Sequence, residues 1–600
     1  MVDDAKAEDD QAENLAELSA NLMDLSTRAQ EVFREFLSQQ SAQAVVTPPD
    51  PLNIGQSFLE LTARMLAEPS RIAETQLAMW QDYMRLWQSA TLKMLGEETE
   101  DVITEEPGDK RFQDEDWRDN QIFNFIKQSY LITSKYTHAA VNTVEDLPAK
   151  DRAKIDFYTK QFVDAMSPTN FVMTNPAVLR TTVEEKGENL VRGFENLLED
   201  LDRGHGQLNI RMTDLDAFEV GENVAITPGK VVFRNRMFEL IQYAPTTETV
   251  YKTPLLIFPP WINKFYILDL TAKKSFVRWA VEQGITVFMV SWVNPDGSYA
   301  DVTFENYILE GLIPALEAVE KATGERAVHT VGYCVAGTMM SAGLAYLEAK
   351  GEADRVKSTT FFTAQIDFTE AGDLQIFVDE KQLEAIDAQM EEKGYLDASI
   401  MATTFNMLRS NDLIWSFVVS NYLMGKEPFP FDLLYWNCDA TRLPRAMHQY
   451  YLKNMYLENR LVKPGELSIG DVPIDLTTVR TPMYIQAGRT DHIAPYASVY
   501  KMTHHFKGPM KFVLAGSGHI AGVVNPPSAK KYQYWLNSKK PKNVEEWVAG
   551  AEEHPGSWWP DWKSWLARRS GKKVPARIPG DGKLKALEDA PGSYVKVKSS

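Results

Sequence analysis

Cysteine is nearly missing from this chain: Cys334 and Cys438 are the only two in 600 residues. So sparse a pair excludes a disulfide-stapled scaffold and suits a reducing compartment. No run of about 18 apolar residues occurs, so no membrane span is expected. Basic charge is in deficit, with 63 Lys and Arg against 83 Asp and Glu, for a net charge of −20. That balance argues against nucleic-acid binding as a main role. The nine histidines form no H-x-x-x-H pair and there is no C-x-x-C, so no metal site is expected. The opening Met1-Val2-Asp3-Asp4 is acidic and lacks the apolar stretch of a secretory leader. No glycine loop of the phosphate-cradling kind is visible, and no internal repeat.

What is present reads as globular, with 44% hydrophobic and 24% charged residues. Six hundred residues exceed one core, so at least two units are expected. Residues 12–40 carry Leu15, Leu18, Leu22, Leu25, Phe33 and Leu37 at helical spacing, and the Thr-Pro-Pro-Asp-Pro run at 47–51 breaks that helix. A second helical stretch covers about 56–95. Its stripe of Phe58, Leu61, Met65, Leu77, Trp80, Tyr83, Leu86, Trp87 and Met94 is read as a packing face, the other reading being a docking face for a partner or apolar surface. An acidic loop or linker follows at 96–109. Helical patterning resumes from Asn120 to about Leu201, with a cap signal at Asn175-Pro176 and a boundary signal at Gly204-His205-Gly206.

From about 216 the texture changes to alternating strands and helices. Residues 230–233 and 237–241 read as paired strands. Further strands fall at 254–258, 285–290, 328–333, 358–362, 482–485 and 511–514. Strands that alternate with helices mean a mainly parallel α/β sheet. About a hundred residues of helical spacing interrupt the pattern at 373–455, and this segment reads as a cap inserted above the sheet's carboxyl edge.

One of these strands ends in Gly332-Tyr333-Cys334-Val335-Ala336-Gly337 and runs straight into a helical pattern. Strand, tight turn and helix with a nucleophile at the turn is the layout of a nucleophile elbow. The turn lifts the thiol off the sheet edge, the helix N-terminus favours an anionic sulfur, and the N–H of Val335 faces any oxyanion. A lone cysteine there is as often a core residue. Two further strand ends decide between the readings, one carrying Asp491 and the other His519. Cys334, Asp491 and His519 follow the chain order of an α/β-hydrolase triad. His519 then takes the proton of Cys334, and the thiolate attacks a carbonyl. Asp491 either orients His519 or acts as a separate base. The second oxyanion donor is expected from the loop Trp261-Ile262-Asn263, and His492 is read as support behind the triad.

At these residues the chain resembles the class I polyhydroxyalkanoate synthases. The resemblance runs from about Asp109 onward. It rests on Phe258-Pro259-Pro260-Trp261-Ile262-Asn263-Lys264-Phe265-Tyr266, Ser291-Trp292-Val293-Asn294-Pro295-Asp296, the Cys334 elbow, Leu434-Tyr435-Trp436-Asn437, Asp491-His492-Ile493-Ala494-Pro495, Ser517-Gly518-His519-Ile520-Ala521-Gly522, Gly556-Ser557-Trp558-Trp559-Pro560 and Pro591-Gly592-Ser593-Tyr594-Val595-Lys596-Val597. It implies an α/β-hydrolase-type catalytic domain at 216–600 with its cap at about 369–455. A helical domain at 109–215 and a variable, partly mobile helical region at 1–108 would precede it. It implies (R)-3-hydroxyacyl-CoA as substrate, with 3-hydroxybutyryl-CoA the expected donor, and polyester plus free CoA as products. No cofactor is expected, CoA being part of the substrate. Cys334 would carry the growing chain as a thioester, His519 would be its base, and Asp491 would help activate the incoming 3-hydroxyl. A cytoplasmic homodimer would meet through the cap, with Trp436 a candidate interface residue, and the N-terminal helices would face the polyester granule or its coat proteins. Two positions depart from the family: Ala336 stands where Gly is usual, and Cys438 where Ser is usual. An intracellular polyester depolymerase or acyl-CoA thioesterase would share fold and triad, but the Trp261 loop and the long cap favour the synthase. An inactive granule-binding scaffold would have no need of an intact triad.

Overall fold

The computed structural model describes residues 69–599 except 143–146, 205 and 207, and of the earlier chain only positions 20, 23, 28, 57, 58, 61 and 62. The helix expected over 12–40, the break at 47–51 and His205 therefore lie outside the described residues. The chain divides into two compact units. One holds the residues up to Asp214 with Phe405–Phe429, and the other holds Leu215–Thr404 with the residues from Pro430 onward.

The first unit is helical, built on α1 (Pro69–Met94), α2 (Gln121–Asn142), α3 (Ala149–Ala165) and α4 (Glu188–Arg203). Leu86 is buried at 1% exposure. Beside it Tyr83 Oη donates to the Ser129 carbonyl on α2 at 3.0 Å, and Asp82 accepts from Lys135 and Tyr136 at 3.0 and 2.8 Å. The expected packing stripe is split, because Leu77, Trp80, Trp87 and Met94 are exposed, the two tryptophans at 59% each. The acidic stretch at 96–109 is a pinned loop. Asp101 accepts from Lys93 at 2.8 Å and from Gln128 at 3.1 Å, and Gln128 Oε1 receives the Val102 N–H at 2.7 Å.

That residues 405–429 group with this unit corrects the expectation of one uninterrupted cap. The contact is polar, so apolar periodicity could not reveal it. Asn189 and Asn196 on α4 donate to the carbonyls of Leu423 and Asn421 at 2.8 and 3.0 Å, and Tyr422 Oη donates to Asp200 at 2.6 Å. A Cβ at Gly193 would meet the Tyr422 carbonyl oxygen at 1.8 Å, so only glycine admits this approach.

The second unit is an eleven-stranded sheet. Its strands are β1 (Gly229–Arg234), β2 (Phe238–Tyr243), β3 (Leu255–Phe258), β4 (Val287–Trp292), β5 (Val328–Tyr333), β6 (Val356–Phe362), β7 (Met483–Gly488), β8 (Met510–Ala515), β9 (Gln533–Leu536), β10 (Glu552–Pro555) and β11 (Glu588–Asp589). Their spatial order is β10-β9-β8-β7-β6-β5-β3-β4-β2-β1-β11. The central run from β4 to β8 is parallel, and the flanking strands are antiparallel. The parallel strands are buried on both faces and accordingly read as continuous apolar runs. This is the α/β-hydrolase arrangement. Helix α5 (Val335–Ala349) follows β5, helical segments flank residues 405–429 on either side and include α6 (Arg445–Tyr451), and α7 (Trp559–Ala567) covers one face. Among the described residues no helix is long and apolar enough to cross a membrane.

The split stripe on α1 makes a stability prediction. Leu86→Ala opens a cavity and is expected to destabilise the protein by about 2–5 kcal/mol, whereas Trp80→Ala should stay within about 0.5 kcal/mol of wild type. Thermal unfolding of the two variants side by side checks this, and equal losses would contradict it.

Candidate active site

The site is assembled at the carboxyl ends of β5, β7 and β8. At the end of β5, Cys334 adopts φ 54° and ψ −126°, a conformation L-residues rarely take. Its N–H donates to the Phe362 carbonyl of β6 at 2.9 Å, and its carbonyl accepts from Gly337 N–H at 2.8 Å as α5 begins. The turn closes because two glycines face each other. A Cβ on Gly332 would lie 2.8 Å from the Gly337 Cα, and one on Gly337 would lie 2.3 Å from the Ala364 Cβ. Ala336 is fully buried in the core, so its methyl is accommodated and the outer glycines are the two that set the elbow.

At the end of β7, the Asp491 N–H turns back to the Gly488 carbonyl at 3.3 Å. Its carboxylate is fully enclosed. Oδ1 accepts the N–H groups of Ile493 and Ala494, each at 2.9 Å, and Oδ2 lies 2.8 Å from His519 Nδ1. His519 follows β8. Its carbonyl accepts from Tyr333 Oη at 3.2 Å. The loop after it is fixed by two indoles ahead of and within α7: Trp558 donates to the Gly522 carbonyl at 2.7 Å and Trp559 to that of Val523 at 2.9 Å. With Nδ1 on Asp491, the ring's other nitrogen is the one left for Cys334, whose charge acts on the imidazole. Burial by itself would lower the pKa of His519. The charge of Asp491, then that of Cys334, outweighs burial and lifts it from 6.5 to about 10.

The structure thus brings Cys334, Asp491 and His519 together, with Val335 the first residue of α5. The N–H groups of a helix's first turn have no partner within the helix, and that of Val335 is one of them. His492, half-buried, follows Asp491 directly. In the loop at 261–263 the donors of Asn263 are engaged within the chain. Asn263, at φ 63°, donates its N–H to Thr441 Oγ1 at 2.9 Å and its amide to the carbonyls of Trp436 and Asn437, each at 3.1 Å. Thr441 in turn donates to the Trp261 carbonyl at 2.7 Å. Both donors of Asn263 therefore hold the 436–441 segment and are not open to an oxyanion. Trp261 is buried, its ring 4.2 Å from that of Tyr307. Trp436 is 6% exposed and donates to the Lys264 carbonyl at 2.7 Å, so its ring anchors the chain internally. A buried ion pair, Lys264 to Asp439 at 2.6 Å, completes this clasp. Cys438 is exposed.

Sequence reasoning missed a wall of polar groups beside Cys334. Thr338 Oγ1 donates to the Gln365 carbonyl at 2.8 Å and lies 3.1 Å from Tyr451 Oη, and Gln365 Nε2 donates to Tyr456 Oη at 3.3 Å. In sequence Tyr450-Tyr451 and Tyr456 read as aromatic packing at helical spacing, and nothing there marks their hydroxyls. Among the described residues no group of three His, Cys, Asp or Glu side chains could hold a metal ion.

Comparison with known proteins bears on the same residues. Residues 108–280 match the family model described as poly-beta-hydroxybutyrate polymerase (PhaC) N-terminus, and residues 258–526 match alpha/beta hydrolase fold. The chain is similar to the poly(3-hydroxyalkanoate) polymerase of Methylorubrum extorquens, 50% identical over 583 residues, which covers 95% of this chain and 96% of that one. It is 49% identical over 534 residues to the corresponding polymerase subunit of Rhizobium meliloti, covering 89% of this chain and 87% of that one. It is 43% identical over 548 residues to that of Cupriavidus necator, covering 90% and 91%.

The raised pKa of His519 fixes the sign of a pH effect. A folded pKa above the ordinary 6.5 gives stability that is fully present below pH 6.5 and is lost as pH rises through about 10. Asp491→Asn removes the largest charge that supports it. The gap in Tm between wild type and Asp491→Asn is therefore expected to be widest below pH 6.5 and to narrow toward pH 10. A gap that does not change with pH would contradict the pairing.

Proposed function

Because this chain belongs to the poly(3-hydroxyalkanoate) polymerase family, a family of acyltransferases, we propose that it builds polyester from (R)-3-hydroxyacyl-CoA through a chain held as a thioester on Cys334. The observation that carries the covalent route is Cys334 in its strained elbow, electrostatically coupled to a His519 that Asp491 holds at 2.8 Å. The description poly-beta-hydroxybutyrate polymerase of the matching family model supports 3-hydroxybutyryl-CoA as donor.

The steps follow from the charges. His519 takes the proton of Cys334, which makes the sulfur the nucleophile. The sulfur attacks the thioester carbonyl, and the Val335 N–H receives the developing oxyanion. As the intermediate collapses, the CoA sulfur leaves and takes the proton from His519. Acylation removes the sulfur's charge, so His519 loses one of its two anionic supports and becomes the base for the next step. It then takes the proton of a 3-hydroxyl, and that oxygen attacks an acyl thioester, whose carbon–sulfur bond breaks as the departing sulfur takes the proton back from His519. Thiolate exchange between thioesters is nearly isoenergetic, which suits a reversible carrier. Asp491 acts through His519 in this account, since Oδ2 is committed to the imidazole and Oδ1 to two amides.

The test follows free thiol and turbidity together after mixing purified protein with (R)-3-hydroxybutyryl-CoA. Thiol release with rising turbidity is expected, and Cys334→Ala should abolish both. Thiol release with a clear solution and free 3-hydroxybutyrate would replace polymerisation with hydrolysis. Full turnover by Cys334→Ala would sink the covalent route.

A further inference from the structure

We propose that Thr441 is a positioning residue for acyl transfer: its hydroxyl sets the Trp261–Ile262 peptide so that the Ile262 N–H meets the acyl carbonyl oxygen as it takes on charge. The assignment rests on the Cys334 thioester chemistry proposed above.

An oxyanion beside a nucleophile elbow is met by two backbone N–H groups, one from the residue after the nucleophile and one from the loop that follows β3. Val335 supplies the first. The loop lies where the second is needed. Phe258, the last residue of β3, is paired in register with Gly332 on β5, just ahead of Cys334. Trp261 and Val335 are buried in one apolar cluster, and Ile262 and Cys334 both pack against it. The loop has few donors to offer. Pro259 and Pro260 carry no N–H, and the Asn263 N–H is taken by Thr441 at 2.9 Å. Among the described residues the backbone N–H groups of Trp261 and Ile262 have no hydrogen-bond partner.

Thr441 decides how the Ile262 N–H is turned. Its Oγ1 donates to the Trp261 carbonyl at 2.7 Å while it accepts from Asn263, so one hydroxyl closes a turn around Ile262 that the backbone does not close itself. The Trp261 carbonyl and the Ile262 N–H belong to one planar trans peptide and point to opposite sides of the chain. With the carbonyl held on Thr441, the N–H is turned away from the 436–441 segment. The hydroxyl is itself fixed. Thr441 is buried. Before it, the Ala440 carbonyl accepts from Ser599 Oγ at 2.6 Å, and after it, the Arg442 N–H donates to Asn294 Oδ1 at 3.0 Å. The start of the loop is pinned too, since the Pro259 carbonyl accepts from the Trp292 indole at 2.9 Å. The donor is therefore oriented before any charge develops. In the reaction the sulfur's electron pair bonds to the carbonyl carbon while the π pair moves to oxygen, and Val335 N–H and Ile262 N–H receive that oxygen together. When the pair returns, the carbon–sulfur bond to CoA breaks, the CoA sulfur takes the proton of His519, and Thr441 keeps its own proton throughout.

Thr441→Val keeps the shape of the side chain and removes its hydroxyl. The first-turnover rate of CoA release from (R)-3-hydroxybutyryl-CoA is expected to fall about 10²-fold, with KM little changed. Thr441→Ser restores the hydroxyl and should return the rate to within a few-fold of wild type. Alkylation of Cys334 by iodoacetamide forms no oxyanion and should keep its wild-type rate in both variants. Trp436→Phe loosens the same clasp at the Lys264 carbonyl without touching the Trp261–Ile262 peptide, so it should lower Tm yet leave the first-turnover rate within a few-fold. If Thr441→Val does not fold, Thr441→Ala carries the same comparison. Acylation near the wild-type rate without the hydroxyl, no rescue by serine, alkylation slowed in step with acylation, or an equal loss in Trp436→Phe would each overturn the assignment. Turnover retained in Cys334→Ala sinks the thioester reading and this inference together. Acylation unchanged in Thr441→Val, with Cys334→Ala inactive, sinks this inference alone.

Discussion

A left-handed φ at Cys334 is the constraint on which the catalytic unit depends. A non-glycine residue in such a conformation costs about 1–3 kcal/mol and persists only where its surroundings over-determine it. Here they do. β5 is buried along its whole length, the Cys334 N–H is bonded to β6, and α5 starts at once on the other side. The two chains come this close only because Gly332 and Gly337 lack side chains. The result is a sulfur at the lip of the sheet with helix N–H groups beside it, which neither strand nor helix alone could offer.

Electrostatics then couple the three strand ends. A buried imidazole would ordinarily be neutral, and the charges of Asp491 and Cys334 reverse that preference. The carboxylate can serve because its remaining oxygen is met by two backbone amides, so no charge is left unpaired. The His519 loop is in turn held by Trp558 and Trp559, far along the chain. On the other side, the clasp of Asn263, Thr441, Lys264 and Asp439 ties the 261–264 loop to the segment that returns from the cap. Removing one partner of a buried ion pair such as Lys264 and Asp439 strands a charge and costs about 3–5 kcal/mol, so this clasp is a rigid feature.

Much of this was legible in the sequence, and the failures have physical causes. The central strands could be read because a parallel sheet buried on both faces demands continuous apolar runs, and the three site residues because each follows such a run. The antiparallel edge strands β9, β10 and β11 were not foreseen: Glu552–Pro555 is a polar, partly exposed edge with no apolar pattern to announce it. The grouping of 405–429 with the helical unit was hidden because Asn189, Asn196 and Asp200 make that contact through hydrogen bonds. Asn263 was expected to face the substrate because it follows a strand, yet donors on such a loop can equally bond to a segment 173 to 178 residues away in sequence. The stripe on α1 looked like a core face by spacing alone, and only burial separates Leu86 from Trp80.

The central claim is that the acyl chain resides on Cys334. The direct measurement is mass analysis of the protein quenched after a single turnover with (R)-3-hydroxybutyryl-CoA, followed by peptide mapping. One 3-hydroxybutyryl group on the peptide that contains Cys334, removed by hydroxylamine as a thioester should be, is the predicted result. CoA release with no adduct on Cys334, or with the acyl group on another residue, would contradict the account.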